Sequence, residues 1–196
     1  MYSNIEIEAK VLLSRDDYEK VYKALNMDYA SSYTQVNYYI ESKDSILKKN
    51  DVALSIREKK GEYVLTLKTP LSEGLLEKKQ SLRPKEALEM ISLNRFPLGG
   101  IREFLEILDI DTDTLFVKAK LTTLRSEIEN PFDEEIISMD SNTYGNKVDY
   151  ELEVDKSAMI LAKQRIDSIL RPLGIDYEFN TKSKGKRALE EIEKSK

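Results

Sequence analysis

The 196-residue chain contains no cysteine, no histidine and no tryptophan. Without thiols there is no disulfide and no thiolate nucleophile, and without imidazole there is no Ser-His-Asp triad or zinc site of the usual ligands. Any chemistry must come from carboxylates, Lys, Arg, Tyr or a bound hard cation such as Mg²⁺ or Mn²⁺, which takes oxygen ligands. Long apolar runs are missing too: nothing approaches the roughly 18 residues that a membrane span needs. The amino terminus, MYSNIEIEAK, has no basic stretch leading into an apolar one. A soluble, cytoplasmic protein with no membrane partner is the expectation. Basicity is also lacking, with 36 acidic against 31 basic residues, a net charge of −5 and a pI of 5.1. Binding to a nucleic-acid backbone favours a domain pI above about 9, so no nucleic-acid partner is expected.

What the chain has in excess is balanced charge, 34% of residues where about 25% is typical. Its length suits one domain covering 1–196. Ile5, Ile7 and Ala9 alternate with Glu6, Glu8 and Lys10, the period of a strand with one apolar and one charged face. Helical spacing then predicts a helix over Arg15 to Asn26, with Ser14 as its cap. YTQVNYYIES reads as a strand, SKDSILKKND as loop and turn, and VALSIREKK with EYVLTLKTP as a hairpin around Lys60-Gly61. LLEKKQSL is a further strand, followed by a helix from Pro84 to about Leu93 and a shorter one around Ile101 to Leu108. Three strands follow, in TLFVKAKLTTLRSEIE, EEIISMDSN and YGNKVDYELEVD. A helix over Ala158 to Leu170, a strand or loop around Lys182 and a charged carboxy-terminal helix complete the chain. About eight strands at hairpin-like spacings, interrupted by a few helices, predict an α+β fold built on an antiparallel sheet or a closed barrel.

The strands' polar faces carry segregated charge. Arg57 and Lys59 share one face of their strand, Lys68 stands on the next, and Asp149, Glu151 and Glu153 stack along the last. Such faces are ordinarily the water side of half-buried strands. Stacked carboxylates repel one another, however, unless a cation sits among them, and the amphipathic helices need apolar strand faces to cover. Both points favour charged faces turned inward around a tunnel.

The ordered set Glu6-Ile7-Glu8-Ala9-Lys10, QVNYY, ALSIREKKGEYVLTLKTP, GLLEKKQ, TTLRSEIE, SMDSNTYGNKVDYELEVD and NTKSKGKRAL resembles the CYTH superfamily, the triphosphate tunnel metalloenzymes, in its YjbK-like bacterial branch. The resemblance spans nearly the whole chain. It implies a single tunnel domain over 1–196, a closed eight-stranded antiparallel β-barrel with helices packed outside, that takes triphosphate, polyphosphate or a nucleotide with Mg²⁺ or Mn²⁺. By position it implies Glu6, Glu8, Glu151, Glu153 and Asp140 as metal ligands, and Lys10, Arg57, Lys59, Lys68, Arg125 and Lys182 as phosphate-binding cations. Glu6, Glu8, Lys10 and Glu153 stand as the catalytic set, and Glu77 is expected to face the tunnel. The chain departs from the family pattern at Ile40-Glu41-Ser42, where relatives run toward Asp-Thr, and in having Arg57-Glu58-Lys59 where many have Arg-x-Arg.

The expected function is a divalent-metal-dependent triphosphatase. The alternatives are a class IV-type adenylate cyclase, which would need adenine and ribose contacts as well, and a non-catalytic polyphosphate-binding module. A homodimer stays open.

Overall fold

The computed structural model of the protein describes residues 1–194. Strands β1 (Tyr2–Glu6) and β2 (Glu8–Leu13) lead into helix α1 (Arg15–Ala24), whose first turn is capped by Ser14 Oγ accepting from the Asp17 amide at 3.1 Å. Strand β3 (Ser31–Glu41) is followed by the short helix α2 (Ile46–Lys49) and the hairpin of β4 (Ala53–Lys59) and β5 (Glu62–Pro70). Next come β6 (Leu75–Leu82), α3 (Pro84–Leu93) and α4 (Gly100–Ile107). The remaining elements are β7 (Phe116–Asn130), β8 (Glu135–Tyr144), β9 (Lys147–Asp155), α5 (Met159–Leu170) and α6 (Lys184–Lys194). No helix among the described residues is long and apolar enough to cross a membrane.

The fold is α+β on an antiparallel sheet, as expected, but the sheet has nine strands rather than eight, in the order β1-β6-β5-β4-β3-β7-β8-β9-β2. The additional strand comes from Ile7. There the chain leaves β6, the partner of β1, for β9, the partner of β2, and the Ile7 carbonyl accepts from the Lys156 amide at 3.2 Å. Period-two alternation runs through Ile7 unbroken, so the change of partner leaves no local trace.

A second correction is α2, which lies in a segment expected to be loop. The buried Glu41 carboxylate accepts from the amides of Ser42 (2.9 Å), Leu47 (3.0 Å) and Lys48 (3.1 Å), and Ser42 Oγ accepts from the Ile46 amide at 2.9 Å. These bonds satisfy helix-start donors that a four-residue helix cannot. The departure at Ile40-Glu41-Ser42 therefore has a local structural use.

The chain forms two compact units. The first comprises Met1–Ile5, Gln35–Leu121 and the stretch from Lys184; the second comprises Glu6–Thr34 and Thr122–Ser183. In the first, Ile40, Leu54, Ile56, Leu65 and Leu67 of the strands pack with Leu47, Ala87, Met90, Ile101 and Leu105 of α2, α3 and α4. In the second, Ala9, Val11, Met139, Leu152 and Val154 pack with Val21 of α1 and Ala162, Ile166 and Leu170 of α5. Within each unit, then, helices cover the apolar strand faces. The opposite faces are polar, yet they are not the water side: Asn37, Thr66 and Glu77 in the first unit, and Ser138, Asp140, Glu151 and Glu153 in the second, are all buried.

Candidate functional site

The first unit carries a cationic face. Antiparallel register sets Asn37 of β3 opposite Arg57 of β4, Gln35 opposite Lys59, and Lys68 of β5 opposite Glu77 of β6. Asn37 Oδ1 accepts from Arg57 Nε at 3.1 Å, which orients the guanidinium and leaves its Nη groups as the outward donors. Lys68 Nζ lies 3.4 Å from Glu77 Oε1, and Lys79 pairs with the other Glu77 oxygen. Burial pushes the Glu77 carboxyl up, but Lys68, Lys79 and Arg57 outweigh it and hold the group below its ordinary value. Glu77 thus stays ionised and keeps the lysines in place.

Adjacent tyrosines take opposite faces, as strand geometry requires. Tyr38 packs on the apolar core, while Tyr39 stands on the charged face, opposite Ser55. Burial raises the Tyr39 hydroxyl's pKa, against the pull of the positive charges on Lys184, Arg57, Lys68 and Arg187. Lys184 and the buried Arg187 open α6. The carboxy-terminal lysine acting with Arg57 and Lys68 on Tyr39 is therefore Lys184. Lys182 lies in the loop before α6 with its side chain exposed, and its amide donates to Asn180 Oδ1 at 3.0 Å.

The second unit carries an acidic face. Register places Asp140 of β8 opposite Glu151 of β9 and opposite Arg125 of β7, with Ser138 opposite Glu153. Carboxylate oxygens of Asp140, Glu151 and Glu153 lie within 4.8 Å of one another, and these residues are 0–3% exposed. Arg125 forks onto Asp140 through Nε (2.8 Å) and an Nη group (2.7 Å), and pairs with Glu153 as well. Burial opposes charge on Arg125, but Glu153 and Asp140 overcome it, so the guanidinium stays positive. Arg125, expected to bind phosphate, is thus the counter-ion of the acids.

On β2, Glu8 pairs with Lys10, and register sets them opposite Asp155 and Glu153. Glu6 and Glu8 stand outside the three-carboxylate cluster, but their charge is felt at Asp155. Burial, then Glu8, Glu153 and Glu6, push that carboxyl up to about 8, against Arg125. Asn180 ties the loop to the site: its side-chain amide donates to Glu151 Oε1 at 3.2 Å and its backbone amide to the Lys10 carbonyl at 2.8 Å.

Sequence reasoning did not find Asp155, Ser138, Asn180 or Arg187. Asp155 was within reach, because the alternation that picks out Asp149, Glu151 and Glu153 continues one step further. The other three had no signal, since a lone Ser, Asn or Arg acquires its role only from what packs beside it.

Three buried carboxylates suit a hard divalent cation, which takes oxygen ligands. The buried Ser138 hydroxyl, which makes no protein hydrogen bond, adds a further oxygen beside Glu153. The donor set fits a metal ion.

A model of the CYTH domain matches residues 4–192. YjbK of Bacillus subtilis, provisionally named a triphosphatase, is 35% identical over 195 residues, the full length of both chains. A crystal structure from Bacillus halodurans, provisionally named an adenylate cyclase, superposes with a TM-score of 0.86 at 33% identity, covering 95% of this chain and 98% of that one. A Hippeastrum protein, an adenylyl cyclase candidate described as having a dominant triphosphatase activity, shares the fold. Its TM-score is 0.71 at 20% identity, covering 92% of this chain and 93% of that one. With its ordered charged strands, the model match and full-length relatives above 30% identity, the chain belongs to the CYTH domain family.

Proposed function

We propose that the protein is a divalent-metal-dependent triphosphatase, cleaving the terminal phosphoanhydride of inorganic triphosphate or a triphosphorylated small molecule. In this reading the cationic strand face binds phosphate and the acidic strand face holds the metal. The observation that carries it is the buried cluster of Asp140, Glu151 and Glu153 in a chain that also has a half-buried cationic strand face of Arg57, Lys59 and Lys68. A module that merely bound phosphate would gain nothing from these acids, since each repels the ligand without a cation.

Arg57, Lys59 and Lys68 hold phosphate oxygens through charge-assisted bonds, Arg57 as a fork already aimed by Asn37. Asp140, Glu151 and Glu153 would hold Mg²⁺ or Mn²⁺, which neutralises charge on the phosphates when bound, with Glu6 and Glu8 adding to the negative field. Phosphoryl transfer to water passes through a loose transition state that asks mainly for positioning and charge stabilisation. Glu153 is the acid proposed to orient the attacking water, with Arg125 fixing its position.

The test is product analysis with inorganic triphosphate, thiamine triphosphate and ATP, each with Mg²⁺ or Mn²⁺. Orthophosphate release that stops with excess chelator supports the reading. Cyclic AMP and diphosphate from ATP would instead establish cyclisation, the activity in the Bacillus halodurans relative's provisional name.

A further inference from the structure

Gly185 is the second residue of α6 and is buried. A glycine inside a helix costs stability relative to alanine, so its presence calls for a reason. Backbone freedom is not the reason, because Gly185 is absent from the positive-φ glycines. Space is. A Cβ on Gly185 would stand 2.6 Å from Cε1 and 2.9 Å from Cδ1 of the Tyr39 ring, closer than Cβ atoms are found to any neighbour.

Tyr39 is the residue through which this contact reaches the cationic face. It lies on the same side of β3 as Asn37, the residue that orients Arg57, and the charges of Arg57, Lys68, Lys184 and Arg187 all act on it. Lys184 precedes Gly185 directly and Arg187 follows two residues later. The seating of Gly185 against the ring therefore sets how far both α6 cations stand from those of β4 and β5. Like charges gathered in this way repel, and a polyanion reverses the sign of that energy.

We propose that the contact of Gly185 with the Tyr39 ring is a positioning device, docking Lys184 and Arg187 beside Arg57 and Lys68 so that cations from α6, β4 and β5 act on one polyphosphate chain. It rests on the triphosphatase reading and deepens it: Gly185 and Tyr39 are positioning residues, and the cations they place favour a linear polyphosphate over a monophosphate.

The test uses the full chain and tripolyphosphate, with steady-state kinetics, metal-free titration calorimetry and thermal melting. Gly185→Ala should raise KM by about tenfold with kcat within about twofold, the signature of lost binding shared by ground and transition states. Its melting temperature should not fall in proportion, because alanine is the better helix former. Tyr39→Ala should raise KM in the same way, and Tyr39→Phe, which keeps the ring, should raise it less. In the double variant Tyr39→Ala/Gly185→Ala the methyl enters space the ring has left, so its KM should match that of Tyr39→Ala alone. A wild-type KM in folded Gly185→Ala, or additive effects in the double variant, overturns the proposal; so does loss of kcat in step with melting temperature. Should Gly185→Ala fail to fold, Tyr39→Ala decides, and an unchanged KM there counts against the device. Wild-type protein that neither binds nor cleaves tripolyphosphate would sink the triphosphatase reading first, and this inference with it.

Discussion

Arg125 stands among acids in the protein. As a cation after the central strands it reads as a phosphate ligand, whereas its fork closes on Asp140 and it pairs with Glu153. Removing one partner of such a buried pair leaves uncompensated charge, so Arg125→Ala should destabilise the metal-free protein by about 3–5 kcal/mol. Arg125→Lys keeps the charge but not the fork and should fall between the two. Denaturant melts with and without Mg²⁺ would check this, and added metal should recover part of the loss. Glu77 gives a pH test. Its folded pKa lies below the ordinary 4.5, so its contribution is present above about that pH and is lost as pH falls through the lower folded value. Wild type should therefore exceed Glu77→Gln in stability most at neutral pH, with the gap narrowing below pH 4.5; a constant gap would show that the lysines do not act on this carboxylate. Binding and chemistry separate at Arg57 and Glu153. Arg57→Ala should weaken tripolyphosphate binding by roughly 1.5–3 kcal/mol. Glu153→Gln should keep or tighten binding while lowering kcat. Calorimetry paired with phosphate release measures both.

At the scale of elements, local signals were accurate wherever they rested on backbone chemistry. Ser14 before an acidic turn marks the start of α1, and its hydroxyl does accept from the Asp17 amide. Ser14→Ala should lower stability by about 1 kcal/mol, the ordinary worth of such a cap. The β4–β5 hairpin turns on Lys60 and Gly61, both at positive φ (53° and 81°), the two-residue geometry that suits Asn-Gly. Lys60→Asn should accordingly stabilise by about 0.5–1 kcal/mol, readable as a shift in urea midpoint at constant slope. Local signals failed where an element depends on one particular partner outside itself. Helix α2 forms because Glu41, at the end of β3, caps it, and β1 and β2 are separate strands because they pair with strands far apart in sequence.

For the molecule as a whole, each unit buries charge that a small protein would ordinarily keep in water, offset in part from within by Arg125 beside Asp140 and Glu153 and by Lys68 and Lys79 beside Glu77, and a ligand of opposite charge should offset it further. Mg²⁺ or Mn²⁺ at about one hundred times its dissociation constant should stabilise the fold by about 2.7 kcal/mol through linkage alone. Differential scanning calorimetry should show a rise in melting temperature that Asp140→Asn largely removes. If melting ignores both the metal and the substitution, the cluster is not a metal site.

The alternation along each strand is a property of the chain itself, because successive side chains must point to opposite faces. It settled which residues share a face: Arg57 with Lys59, Glu8 with Lys10, Glu151 with Glu153. It could not say whether a polar face meets water or protein. Nor could it say that Asp140, rather than Glu6 or Glu8, joins Glu151 and Glu153, or that Arg125 answers those acids. Those outcomes depend on cross-strand register and on what packs against each face, which join residues far apart in sequence. Gly185 is the clearest case. Within α6 it reads only as a weak point in a helix, and it takes on meaning when the Tyr39 ring occupies the volume its missing Cβ leaves.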